Sequence, residues 1–241
     1  MPKFYVKYLF EKPLIEGMIK SRPNRFVMFV KVEGKLERCH CPSTGSIGGI
    51  KFFNIPCLLS RGKGERKTKY TVEAIKIENQ WIGINQTGAN RYIEFFLREN
   101  LLKSMIKVKE LRREARLGRS RIDFLVNNGD YLEVKTPLKD LYLKTNPLID
   151  EKSVDFHRLV KHFGDLTKRL KKGSRAIVLL CFIYDAQRFN PPSPKGEESK
   201  IISAAKNASR AGLENWQINL RIDKNGVGLE RLFRLNLHSK S

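Results

Sequence analysis

The chain of 241 residues is long enough for one large domain or two modest ones, and it carries 47 Lys+Arg against 25 Asp+Glu, a formal net charge of +22. With a sequence pI near 10.0, such a surplus attracts polyanions, nucleic acid foremost, because neutralised phosphates release condensed counterions. No apolar run approaches a signal peptide or a membrane span, and Cys39, Cys41, Cys57 and Cys181 are too scattered for a disulfide framework. A soluble cytoplasmic protein with no membrane partner is expected.

From Lys3 to about Gln80 the chain alternates in short strand-like runs, "KFYVKYLF", "RFVMFVKVEG", "KLERCHC" and "KYTVEAIKIEN". Between them stand "CPSTGSIGGI" and "SRGKGERKT", turn-rich spacers that suit a small β-barrel or sandwich. In Cys39-His40-Cys41 the cysteines share one face of a strand and the histidine points the other way. Zinc there would need distant ligands, whereas two small apolar side chains in a core need nothing more. The loop "CPSTGSIGG" lacks the Lys and the following helix of a P-loop, so it reads as a barrel loop whose Ser43 and Thr44 offer hydrogen bonds to a phosphate.

Near Trp81 the period changes. "NRYIEFFLREN" sets Tyr92, Ile93, Phe96 and Leu97 on one helical stripe, which predicts a boundary between a barrel over residues 1–85 and a mixed α/β domain over 86–241. Three consecutive strands are expected in "SMIKVKELRREA", "SRIDFLV" and "DYLEVKT". An amphipathic helix over "SVDFHRLVKHFGDLTKRLKKG" follows, and then "RAIVLLCFIY", apolar enough for a central strand buried on both faces. A Pro-rich loop, a helix at "KIISAAKNASRAG" and a hairpin in "WQINLRIDKNGVGLERLF" complete the chain.

The chemistry concentrates in "RIDFLVNNGDYLEVKT". Period two places Arg121, Asp123 and Leu125 on one face of the first strand, and Tyr131, Glu133 and Lys135 on one face of the second. A three-residue turn, Asn127-Asn128-Gly129, brings Asp123 opposite Glu133, whereas a two-residue turn sets Asp123 against Val134 and breaks the site. Turn chemistry allows both, with Gly129 the natural left-handed residue of the longer one. The faces decide: Ile122, Phe124, Val126, Leu132 and Val134 must enter the core together, and that leaves the carboxylates side by side. Two adjacent carboxylates with the Val134 carbonyl suit Mg²⁺ or Mn²⁺, and Lys135 is placed to orient or deprotonate an attacking water. Taken alone, the same residues also describe a solvated hairpin.

Four blocks in order, "RFVMFVKVEGKLERCHCPSTGSIGGI", "ERKTKYTVEAIKIENQWIGINQTGANRYIEFFL", "GRSRIDFLVNNGDYLEVKTPL" and "RLVKHFGDL", resemble the sugar fermentation stimulation protein A family across nearly the whole chain. The resemblance implies an N-terminal OB-like β-barrel followed by a PD-(D/E)xK nuclease-like mixed α/β domain, an α+β and β architecture. It also implies a DNA-binding role. The family's carboxylate-lysine motif falls on Asp123, Glu133 and Lys135, its acid in the preceding strand on Glu114, and its Arg-x-x-Lys-His segment on Arg158, Lys161 and His162. Ser43 stands where the family usually has Asn, and Gln86 where Thr is usual.

Asp123, Glu133, Val134 and Glu114 are therefore the expected ligands of Mg²⁺ or Mn²⁺, and Lys135 is the expected water-activating residue. Arg121, Arg158, Lys161, His162, Ser43 and Thr44 are the expected DNA contacts, made with little sequence preference. Glu114, amid arginines, serves equally as an ion-pair partner, and His162 equally as a structural histidine. The rival class is a DNA-binding transcriptional regulator that keeps the nuclease fold without turnover. A homodimer is compatible with either.

Overall fold

The computed structural model describes residues 6–43, 45–62, 67–117, 120–144, 173–189 and 212–236. Thr44 and the two predicted helices that follow Ser153 and Lys200, with Arg158, Lys161 and His162, lie outside the described residues.

The chain opens with β1 (Lys7–Leu9) and then builds a sheet from β2 (Ile15–Asn24), β3 (Val27–Val32), β4 (Lys35–His40), β5 (Ile55–Arg61), β6 (Tyr70–Ile77) and β7 (Gln80–Gly83). The spatial order is β4-β3-β2-β5-β6-β7. A parallel pairing of β4 with β6, Cys39 against Tyr70 and His40 against Thr71, closes the first five of these into a barrel of OB type.

Alternation drives the closure. Ile19, Met28, Val30, Cys39, Cys57, Leu59, Val72 and Ile75 all point inward and are fully buried, leaving polar residues outside. The cysteines are core side chains, and burial pushes the Cys39 and Cys57 thiols up to about 12, which keeps them protonated and unreactive.

Two barrel strands were not legible. β2 contains Gly17 and Pro23, and β5 opens on Ile55-Pro56, features that weaken a strand signal. Gly17 is nonetheless required, because a Cβ there would lie 2.7 Å from Val30 Cγ1 and 2.9 Å from Leu59 Cδ1.

The second unit comprises α1 (Gln86–Arg98), β8 (Leu111–Leu117), β9 (Ser120–Val126), β10 (Asp130–Lys135), β11 (Ala176–Phe182), β12 (Leu213–Ile222) and β13 (Gly226–Leu235). Its sheet has seven strands in the order β1-β13-β12-β11-β10-β9-β8. β10, β11 and β12 run parallel and the other neighbours antiparallel. The expected strand around "SMIKVKELRREA" begins only at Leu111, because residues 101–105 form turns instead.

β1 corrects the assignment of residues 1–85 to the barrel: it pairs with β13, Lys7 against Gly228 and Leu9 against Gly226. β7 ends at Gly83 and α1 opens at Gln86.

β11 is buried at every position. Val178, Leu180 and Phe182 meet the barrel-side core, while Ile177, Leu179 and Cys181 meet the core under α1. The apolar stripe of α1, Tyr92, Ile93, Phe96 and Leu97, packs into that second core as its spacing requires.

Candidate metal centre

The β9–β10 hairpin turns through Asn127 (φ 52°) and Asn128 (φ 59°), with the Gly129 N–H donating to Val126 O at 3.2 Å. The left-handed residues are thus the two asparagines, which tolerate that conformation, rather than Gly129. Asn127 is held there by its own side chain: Oδ1 accepts from Lys109 N–H at 2.8 Å and Nδ2 donates to Lys107 O at 2.8 Å. Glycine could not make either bond.

Val126 pairs with Asp130, Leu125 with Tyr131 and Phe124 with Leu132, the register of the three-residue turn. The next step along that register is Asp123 and Glu133. Here the ladder gives way to a reciprocal exchange in which each carboxylate takes a backbone N–H. Val134 N–H donates to Asp123 Oδ2 at 2.8 Å, and Asp123 N–H donates to Glu133 Oε2 at 3.3 Å. The side chains stand in for ladder carbonyls where the strands part.

Two further groups complete the cluster. Lys135 Nζ donates to Glu133 Oε1 at 2.7 Å, and Asn90 Nδ2, reaching from α1, donates to Asp123 Oδ1 at 2.8 Å. The helix is fixed over the site at its start. Asn85 caps it, accepting from Gly88 N–H at 3.0 Å, and Gln86 Nε2 donates to Thr136 O at 2.8 Å, one residue past Lys135.

Glu133 is 6% exposed, so its charge is costly without a cation beside it. Burial, and next the Glu133 charge, push the Asp123 carboxyl above its ordinary value, while Val134 N–H, Asn90 and Lys135 pull it back. The cluster holds two carboxylates against one ammonium, a local deficit of positive charge in an otherwise basic protein.

Glu114 does not join them. It occupies the strand position opposite Asp123, between the pairs Arg113–Phe124 and Ala115–Ile122, but with φ 53°. Its carboxylate pairs with the exposed Arg121 guanidinium at 3.0 Å. Glu94 on α1 is likewise engaged by Arg98 and Arg113.

Ser43, expected as a phosphate contact, is 1% exposed. Its carbonyl accepts from Arg22 Nη2 at 3.1 Å, and its hydroxyl has no partner among the described residues. Asn90 was missed, and Gln86, noted only as standing where Thr is usual, was given no place at the site; the two amides lie four apart on one helix.

The donor set suits a hard divalent cation. Among the described residues no group of three or more His, Cys, Asp or Glu gathers. A two-carboxylate site nevertheless matches an ion that keeps several waters and draws remaining ligands from substrate phosphates. The Val134 carbonyl lies on the same strand edge as the N–H that meets Asp123, since both groups of one strand residue point the same way.

A family model described as the SfsA N-terminal OB domain matches residues 21–84, and one described as the sugar fermentation stimulation protein RE domain matches residues 87–226. The chain belongs to the sugar fermentation stimulation protein family. A sugar fermentation stimulation protein homolog of Synechococcus sp. (strain JA-2-3B'a(2-13)) is 31% identical over 231 residues, covering 92% of this chain and 93% of that one. A family member from Gloeobacter violaceus is 36% identical over 194 residues, 76% and 80% of the two chains. In fold, the chain is similar to Pyrococcus furiosus SfsA, solved in complex with Ca²⁺, with a TM-score of 0.74 at 22% identity over 94% of this chain and 97% of that one.

Proposed function

We propose that this family member binds DNA and hydrolyses its phosphodiester backbone with a divalent cation, Mg²⁺ or Mn²⁺, at a PD-(D/E)xK-type centre formed by Asp123, Glu133 and Lys135. The observation that carries it is the meeting of Asp123 and Glu133 in one register, with the Lys135 ammonium 2.7 Å from Glu133. The solved Pyrococcus relative, whose complex contains Ca²⁺, supports a cation here, since calcium prefers the same hard oxygen donors.

Asp123 and Glu133 would hold the ion, aided by the Val134 carbonyl. A bound cation would supply charge neutralisation at the phosphate and acidify water. The chain's own residues do the rest. Asn90 and the Val134 N–H fix the Asp123 carboxylate in place and favour its ionised form. Lys135, one-third exposed, reaches from the cluster towards solvent, where it would orient water and offset charge developing on phosphorus. The barrel, of a type that commonly binds oligonucleotides, would hold the substrate.

The test compares wild type with Asp123→Ala, Glu133→Ala and Lys135→Ala on duplex and single-stranded DNA, with Mg²⁺, Mn²⁺ or chelator. Metal-dependent cleavage should vanish in all three variants, while DNA binding persists. Binding by wild type without cleavage under any condition would favour the non-catalytic regulator. Cleavage that survives in the carboxylate variants would refute the site.

A further inference from the structure

Two phenylalanines stand out on the barrel. Phe53 is 71% and Phe26 45% exposed, the two aromatic rings among the exposed large apolar side chains of the described residues. They flank a single hub, Arg22. Its guanidinium donates to Arg25 O at 3.2 Å on the turn that bears Phe26, and to Ser43 O at 3.1 Å and Gly45 O at 2.9 Å on the loop that leads to Phe53. It also lies 5.3 Å over the Phe52 ring, while Arg25 lies 4.7 Å over the Phe26 ring.

The surroundings carry one sign of charge. No Asp or Glu occurs between Glu16 and Glu33, or between Glu37 and Glu65, the two segments that build this surface. Lys51 adds to it. Among the described residues no carboxylate pairs with Arg22, Arg25 or Lys51. Cations interleaved with exposed rings offer phosphates a counter-charge and bases a flat apolar partner, a combination suited to unpaired nucleotides.

The same loop touches the segment that follows β10, the strand of the candidate metal centre. Gly48 N–H donates to Leu138 O at 2.9 Å and Lys139 O at 3.0 Å. Lys135 precedes these by three and four residues, a reach of at most about 14 Å even if fully extended. The loop that carries Phe53 is thus tied, through Gly48, to the chain just beyond Lys135.

We propose that Phe26 and Phe53 form a stacking platform for a single-stranded nucleic-acid segment, its phosphates met by Arg25 and Lys51, so that the protein selects unpaired over fully duplex substrate. This rests on the nucleic-acid reading above and names the strand type for it.

Binding is measured in chelator, so that cleavage plays no part, using a labelled single strand of about 12 nucleotides and the matching duplex. Phe53→Ala and Phe26→Ala should each weaken single-strand binding about tenfold while leaving duplex binding and the salt slope unchanged, because stacking carries no charge. Phe53→Trp should restore or tighten binding, and Arg25→Ala should lessen the salt slope by about 0.7. Equal losses on both DNA forms, or no loss in either Phe variant, would overturn the platform. So would a wild type that self-associates through this surface, with Phe53→Ala turning dimer to monomer and DNA binding unmoved. Cleavage by wild type is scored separately with Mg²⁺: preference for the single strand without cleavage fails only the catalytic reading, and cleavage without that preference fails only the platform.

Discussion

Removing the Asn90 amide tests whether the helix tunes the carboxylate pair. In wild type Asn90 Nδ2 donates to Asp123 Oδ1 at 2.8 Å, and Asp123 is half-buried. A hydrogen bond to a charged group contributes about 1.5–3 kcal/mol, and partial exposure puts this one near the lower figure. Because the bond favours the ionised form, Asn90→Ala should raise the proton affinity of Asp123 about tenfold, the equivalent of ~1.4 kcal/mol. Alanine also recovers about 0.6 kcal/mol of helix propensity, leaving the variant about 1 kcal/mol less stable at neutral pH. The Asp123 carboxyl is already held above its ordinary value. It binds its proton more tightly folded than unfolded, so its contribution to stability is full at low pH and is lost as pH rises through the raised range. The variant, raised further, should lose more over that window and should match or exceed wild type at its acid end. Urea unfolding across pH, with carboxyl carbon NMR following Asp123, reads both effects. A stability difference that ignores pH, or an Asp123 titration that does not move, would refute the reasoning.

Gly83→Ala places a Cβ 2.6 Å from Ile183 Cβ and 3.2 Å from Ile183 O, where Gly83 N–H now donates at 2.9 Å. Denaturant unfolding should show a loss of about 2–4 kcal/mol, and a change within experimental scatter would mean that the contact between barrel and sheet yields freely. Mg²⁺ should raise the melting temperature more at about pH 8 than at about pH 5, because protons compete for the raised Asp123 carboxyl; equal shifts would place the ion elsewhere. DNA affinity should fall with salt at a slope of about 0.7–0.9 per phosphate neutralised, and a flat dependence would remove the basic surface from binding. Lys135→Met should further raise the proton affinity of Asp123, since Lys135 now lowers it; an unmoved Asp123 titration would break that link.

Local pattern served well where the environment is itself periodic. β11 is apolar because both faces are buried, and the Asp123–Glu133 register followed from which residues had to share a core. It failed where a distant partner decides. β1 carries an ordinary strand signal that says nothing of β13, and β2 hides behind the Gly17 that its neighbours require. Ser43 read as exposed in a polar loop, but Arg22, 21 residues away, draws that loop inward. Glu114 sits in sequence where a third ligand belongs, yet its left-handed backbone and Arg121 take it outward. Asn90 escaped because an amide acquires a role here only from the carboxylate that meets it across the fold.

The pairing of β1 with β13 gives the molecule an order of assembly. Lys7 bonds Asp223 across 216 residues, and the entire barrel is made from chain lying between the two. As the polypeptide leaves the ribosome, the barrel has all its strands long before the larger sheet can recruit its outermost one, so β1 must wait, unpaired, until β13 emerges. Shortening the amino terminus should therefore spare the barrel beside it and injure the sheet built from the far end of the chain.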